Sequence, residues 1–137
     1  MAMPLAERTV PPRIECGGAP VLVVNSSATA RANICRLLEA ARFEATPCAT
    51  AGEALARLRA GPPSAMVVDY MLDDMSGFAL VHACNDAGCK PATVMTAARG
   101  EVSAAVRAVR EGIADFLPGP PDGRIVQAVR AALRKVS

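Results

Sequence analysis

Ala65-Met66-Val67-Val68-Asp69-Tyr70-Met71-Leu72-Asp73-Asp74-Met75-Ser76-Gly77 is the stretch from which the rest of the chain can be read. Four apolar residues in a row, without polar alternation, are what a strand covered on both faces requires. The run ends on Asp69, and an acidic loop closed by Gly77 follows. A carboxylate at the carboxyl end of a buried strand stands where open α/β sheets carry their chemistry.

The same kind of run recurs on either side. Val21-Leu22-Val23-Val24 predicts a first buried strand, and Ala92 to Met95 a fourth. Between and after them come amphipathic stretches. Ala28 to Arg42 carries Ile34, Leu37, Leu38 and Ala41 on one helical stripe. Phe43 to Ala49 reads as the second strand. Thr50-Ala51-Gly52-Glu53 has the residues of a capping box, which starts a helix that Gly61-Pro62-Pro63 stops near Ala60. Phe78 to Ala87 and Glu101 to Arg110 predict the third and fourth helices, the latter closed by Gly112. Ile113 to Leu117 is the fifth predicted strand, and Asp122 caps a last helix reaching Val136.

Five strand-helix units of about 20 residues each imply a parallel sheet with helices on both faces and right-handed crossovers. At this length a flavodoxin-like (βα)5 three-layer sandwich, with strand order 2-1-3-4-5, is the expected α/β solution. Asn25, Asp69, Thr96 and Phe116 then gather toward one edge of the sheet. Residues 1–19, with Pro4, Pro11, Pro12 and Gly17-Gly18 but no apolar period, read as a flexible leader, and residues 20–137 as one domain.

Composition narrows the function classes. With 137 residues and 52% hydrophobic content, the chain can bury one real core. A net charge of +2 gives no electrostatic case for nucleic acid or membrane binding, and an aromatic content of 3% offers no platform for stacked bases. The five cysteines, Cys16, Cys35, Cys48, Cys84 and Cys89, lack C-x-x-C spacing and histidine neighbours, so reduced thiols in the cytoplasm are expected. No run approaches a membrane span of about 20 apolar residues.

The quoted stretch resembles the phosphoacceptor strand and loop of two-component response regulator receiver domains. Pro91-Ala92-Thr93-Val94-Met95-Thr96-Ala97 is similar to that family's fourth strand and switch threonine. Ala105-Val106-Arg107-Ala108 and Gly112-Ile113-Ala114-Asp115-Phe116 resemble the FixJ-like type of receiver. The resemblance covers nearly all of Pro20 to Val136. It implies a signalling domain, not an enzyme with a substrate of its own. Asp69 would accept a phosphoryl group from a histidine kinase. Mg²⁺, held by an acidic pair, the acceptor and the Met71 backbone carbonyl, together with a lysine, would neutralise the phosphoryl charge. Thr96 and Phe116 would be the switch residues. Partners would be the kinase, an output domain or protein, and a second copy docking through the fourth helix, fifth strand and fifth helix. Nothing in this domain would bind DNA or a membrane directly.

Four positions depart from that pattern. The acidic pair is Asn25-Ser26, the lysine position is Gly119, and the proline early in the acceptor loop is Asp73. Lys90 and Lys135 are the chain's only lysines, and neither is near Gly119 in sequence. Loss of one preorganised charge typically costs roughly 3 kcal/mol of transition-state stabilisation. The expectation is therefore a degenerate receiver that binds Mg²⁺ weakly if at all and switches through protein contacts. Its rival keeps phosphorylation of Asp69, with Asp73 or Arg99 standing in for the missing charges. A flavin site on the same fold has only the polar Asn25-Ser26-Ser27-Ala28-Thr29 loop in its favour. Two plainer roles are also expected. Asp69 would hydrogen-bond Ser26 or Thr96, and Asp73 and Asp74 would belong to a solvated turn. His82, the single histidine, is expected on a helix surface away from the strand ends.

Overall fold

A computed structural model describes residues 19–97 and 102–136. The leader expected over 1–19 lies almost wholly outside the described residues, as do Arg99 and the start expected for the fourth helix at Glu101. The elements alternate throughout. They are β1 (Pro20–Val24), α1 (Ala28–Ala40), β2 (Glu44–Cys48), α2 (Ala51–Ala60), β3 (Ala65–Asp69), α3 (Gly77–Asp86), β4 (Ala92–Ala97), α4 (Val102–Arg110), β5 (Asp115–Pro118) and α5 (Arg124–Val136). All pairings are parallel, in the order β2-β1-β3-β4-β5. This is the flavodoxin-like order 2-1-3-4-5.

The apolar runs are continuous because each strand feeds two cores. In β1 and β3, Val21, Val23, Ala65 and Val67 join Ile34, Leu38, Ile125 and Val129 of α1 and α5 on one face. Leu22, Val24, Met66 and Val68 join Ala54, Phe78, Leu80 and Ala108 of α2, α3 and α4 on the other. The edge strands need only partial cover, so β2 and β5 tolerate Glu44, Pro47 and Asp115. This is also why β5 starts two residues later than the apolar reading at Ile113 suggests. No helix among the described residues is long and apolar enough to cross a membrane.

The predicted cap at Thr50 is found, and Ser27 and Ser76 cap two further helices for which the sequence reading named none. Ser27, Thr50 and Ser76 each accept a bond from the N–H three residues on. The first helix ends at Ala40, and Arg42 turns the chain toward β2 with φ 74°.

Gly77 serves the packing of the acceptor strand. Its N–H donates to the Tyr70 carbonyl at 2.7 Å, which draws the start of α3 against the end of β3. A Cβ at this position would lie 2.3 Å from the Asp69 carbonyl oxygen. Gly77→Ala is thus expected to lower stability by about 1–3 kcal/mol in denaturant unfolding, the usual cost of forced overpacking. Gly61→Ala, where a Cβ meets nothing within 4 Å, serves as the control. Equal unfolding midpoints for the two variants would contradict this close approach.

Candidate functional site

The carboxyl ends of β1, β3 and β4 and the loop after β5 surround a recess lined by Asn25, Ser26, Asp69, Met71, Thr96 and Gly119, among others. Strand register builds it. Asp69 is paired with Thr96 across β3 and β4, and the Tyr70 N–H donates to the Thr96 carbonyl at 2.7 Å. That backbone bond sets the two side chains together. The Thr96 hydroxyl donates to Asp69 Oδ1 at 2.8 Å, and the Met71 N–H donates to Oδ2 at 3.3 Å. Both partners are neutral. Burial pushes the Asp69 carboxyl above the ordinary carboxylate range, and the bonds from Thr96 and Met71 offset this only in part.

Asn25 and Ser26 are spent on the backbone. Asn25, 5% exposed, accepts from the Ser27 N–H through Oδ1 at 2.9 Å, while its own carbonyl accepts from Arg31 Nη1 at 2.8 Å. Ser26 Oγ accepts from the Asp73 N–H at 2.9 Å, tying the first loop to the acceptor loop. Of the two partners expected for Asp69, Thr96 is therefore the one found and Ser26 is not. Gly119 has φ 93°, a conformation that disfavours a lysine, and its N–H donates to the Ala97 carbonyl at 2.9 Å. Phe116 does not line the recess; it is half-buried against the α2–α3–α4 core.

Asp74 lies in the exposed turn expected for it but also reaches α2. Its two carboxylate oxygens accept from the Ala51 and Gly52 N–H groups, each at 3.0 Å, at the start of α2. These bonds and the helix dipole favour the anion, and its pKa is lowered, chiefly through Ala51 and then Gly52. Sequence reading missed this clamp because its partners lie 22 and 23 positions away. Asp73 is exposed and contributes its backbone N–H. Arg124, also unforeseen, comes within 3.9 Å of where a Gly119 Cβ would stand. Its guanidinium is held by Asp122 at 2.9 Å and by the Pro118 carbonyl at 3.0 Å. Lys90 and Lys135 line a separate cleft with Ala92 at the start of β4, at the opposite edge of the sheet.

Asp69 is the sole carboxylate lining the recess, and no group of three or more His, Cys, Asp or Glu side chains suited to a metal occurs among the described residues. A hard ion that dehydrates reluctantly is poorly served by one carboxylate and neutral oxygens already engaged elsewhere.

The sequence profile of the response regulator receiver domain matches residues 21–130. The chain belongs to the response regulator receiver family. It is 34% identical over 118 residues to the transcriptional regulatory protein FixJ of Azorhizobium caulinodans, a match covering 83% of this chain and 54% of that protein. The photosynthetic apparatus regulatory protein RegA of Rhodovulum sulfidophilum is 31% identical over 117 residues, covering 83% of this chain and 63% of RegA. The receiver thus spans a little over half the length of these relatives. Among solved structures, a response regulator receiver domain protein from Clostridium thermocellum superposes with a TM-score of 0.78 at 21% identity, covering 86% of this chain and 96% of that one. That likeness concerns the fold.

Two neighbouring carboxylates of this receiver respond oppositely to pH. Asp69 has a raised pKa, so folding loses stability as pH rises from the ordinary carboxylate value through its own. Asp74 has a lowered pKa, so its contribution is present above the ordinary value and lost as pH falls through its folded one. Asp69→Asn is expected to raise the thermal midpoint at pH 7, with the gain fading in acid; Asp74→Asn is expected to lower it at pH 7. A destabilised Asp69→Asn at neutral pH would contradict the electrostatics described for the recess.

Proposed function

We propose that this receiver signals through protein contacts on its α4–β5–α5 side, in the cytoplasm, without Mg²⁺-assisted phosphorylation of Asp69. The observation that carries the proposal is the neutrality of the groups bonded to that carboxylate. Its hydrogen-bond partners are the Thr96 hydroxyl and the Met71 N–H. A transferring phosphoryl group would add negative charge where, among the described residues, the nearest cations, Arg31 and Arg124, are held by backbone carbonyls and Asp122. Nor are Asn25 and Ser26 idle oxygens that a metal could recruit, since each holds a backbone N–H.

The switch residues support the same reading. The Thr96 hydroxyl that a phosphoryl group would engage is already bonded to Asp69, and Phe116 is already packed toward the core. The resting arrangement of both is inward. A partner that prefers either position of the Thr96–Gly112 segment and Phe116 biases the equilibrium directly, by its difference in affinity for the two states. For such a partner α4 offers Val106 and Val109, 51% and 80% exposed, beside the cation of Arg110. A second copy, a kinase or an output domain could each use this face. Glu111, at the end of α4, is engaged within the chain by His82 at 2.6 Å and Arg107 at 3.4 Å.

The test is intact-mass spectrometry after incubation with a small acyl phosphate and Mg²⁺, with Asp69→Ala as control. No adduct is expected on the folded protein. Asn25→Asp combined with Ser26→Asp should raise labelling at least about tenfold, by restoring metal ligands. One phosphoryl group on the unaltered chain, lost in Asp69→Ala, would establish the phosphorylatable reading instead.

A further inference from the structure

The turn that ends α3 brings two thiols together. Ala87 caps the helix, Gly88 follows at φ 82°, and the Gly88 N–H donates to the Asn85 carbonyl at 3.0 Å. The Cys89 N–H donates to the Cys84 carbonyl at 2.9 Å. These two bonds define a Schellman motif, which frequently brings the side chains of the third helical residue from the end and the second residue beyond the cap together. Here both residues are cysteines. Standard bond lengths and the trigonal carbonyl then hold their Cα atoms within about 6.8 Å, the upper end of the roughly 4.4–6.8 Å span of natural disulfides. Both side chains belong to the same core cluster, Cys84 within it at 1% exposure and Cys89 packed against it from the partly exposed side.

We infer that Cys84 and Cys89 form a reversible intramolecular disulfide, making the α3–β4 turn a thiol-oxidation site. The two thiols differ in what they can do. Cys89 is the reachable one. Cys84 is pushed up to about 11 by burial, with the neighbouring Cys89 adding to the effect, so it is a poor first nucleophile. The order of events follows. The Cys89 thiolate attacks a small-molecule disulfide such as glutathione disulfide, forming a mixed disulfide and releasing one thiol. Cys84 then gives up its proton, attacks the Cys89 sulfur and expels the second thiol. In sum, two protein thiols are oxidised to one disulfide while the small disulfide is reduced to two thiols. Cys35 packs against the other core cluster, and Cys48, buried on β2 within the cluster of Cys84, lacks the backbone bond that holds Cys84 and Cys89 in one turn.

Trypsin cuts after Arg59 and Arg99 but not before Pro91, so one peptide, residues 60–99, carries Cys84 and Cys89 and no other cysteine. After exposure of the whole protein to glutathione disulfide and alkylation of remaining thiols, that peptide should be two hydrogens lighter and unalkylated. A reductant should restore both alkylation sites. Cys84→Ala should stop at the mixed disulfide on Cys89, and Cys89→Ser, a near-isosteric change at the partly exposed edge of the core, should give neither product. Amide exchange at Gly88 and Cys89 should slow in the oxidised form. A mixed disulfide that persists on Cys89 in the unaltered protein, closure onto another cysteine, or no reaction would each overturn the inference.

Discussion

A carboxylate at the rim of a sheet that is apolar on both faces, held by a hydroxyl and one amide, is the constraint on which the rest of this receiver turns. The bond from Thr96 to Asp69 Oδ1 at 2.8 Å exists because the register of β3 and β4 places the two residues side by side. Burial raises the cost of the charge, and neutral donors return only part of it. In a phosphorylatable pocket, cations would reverse that balance. Here the first loop has been turned to structural use. Asn25 closes its own turn onto Ser27, and Ser26 braces the acceptor loop at Asp73. On the reading proposed above, the recess keeps the shape of a receiver site with few charges bonded to its carboxylate.

The surroundings are correspondingly well tied. Asp74 grips the start of α2, and Gly77 allows α3 to begin against the Asp69 carbonyl. Tyr70, next to Asp69, meets Phe78 edge-on with ring centroids 5.9 Å apart, and the Arg107 guanidinium lies 4.4 Å from the centre of the same ring. Arg107 and His82 share Glu111, so α3 is linked to the end of α4 through a small polar network on the surface. Apolar and cation–π contacts thus connect the acceptor strand to the helix that presents Val106 and Val109. Such a physical connection is what a partner docking on α4 would need in order to be felt at Asp69.

Much of the fold was legible because each element announces itself locally. Strands buried on both faces read as unbroken apolar runs at Val21–Val24 and Ala65–Val68, and α2 starts on the hydroxyl cap read at Thr50. The edge strand β5 was misplaced by two residues because an edge needs little apolar cover, and Ile113 supplied a false start. Asp69 and Thr96 were legible as a pair through the family pattern, and so were the neutral replacements at Asn25, Ser26 and Gly119. Asp74 was not legible, since no local signal says that a loop carboxylate will cap a helix more than twenty residues earlier. Of the two partners expected for Asp69, Thr96 is the one found, and Ser26 instead accepts from the Asp73 N–H. A hydroxyl beside an acidic loop can reach a carboxylate or a backbone N–H, and only the loop's path decides which.

The account rests on the absence of positive charge at the acceptor, and carboxyl carbon NMR of Asp69 as a function of pH, with and without millimolar Mg²⁺, tests that most directly. Titration above the ordinary carboxylate range, unmoved by Mg²⁺, is the predicted result. A pKa below that range, or one that falls sharply when Mg²⁺ is added, would mean that the pocket supplies the charge this account says it lacks.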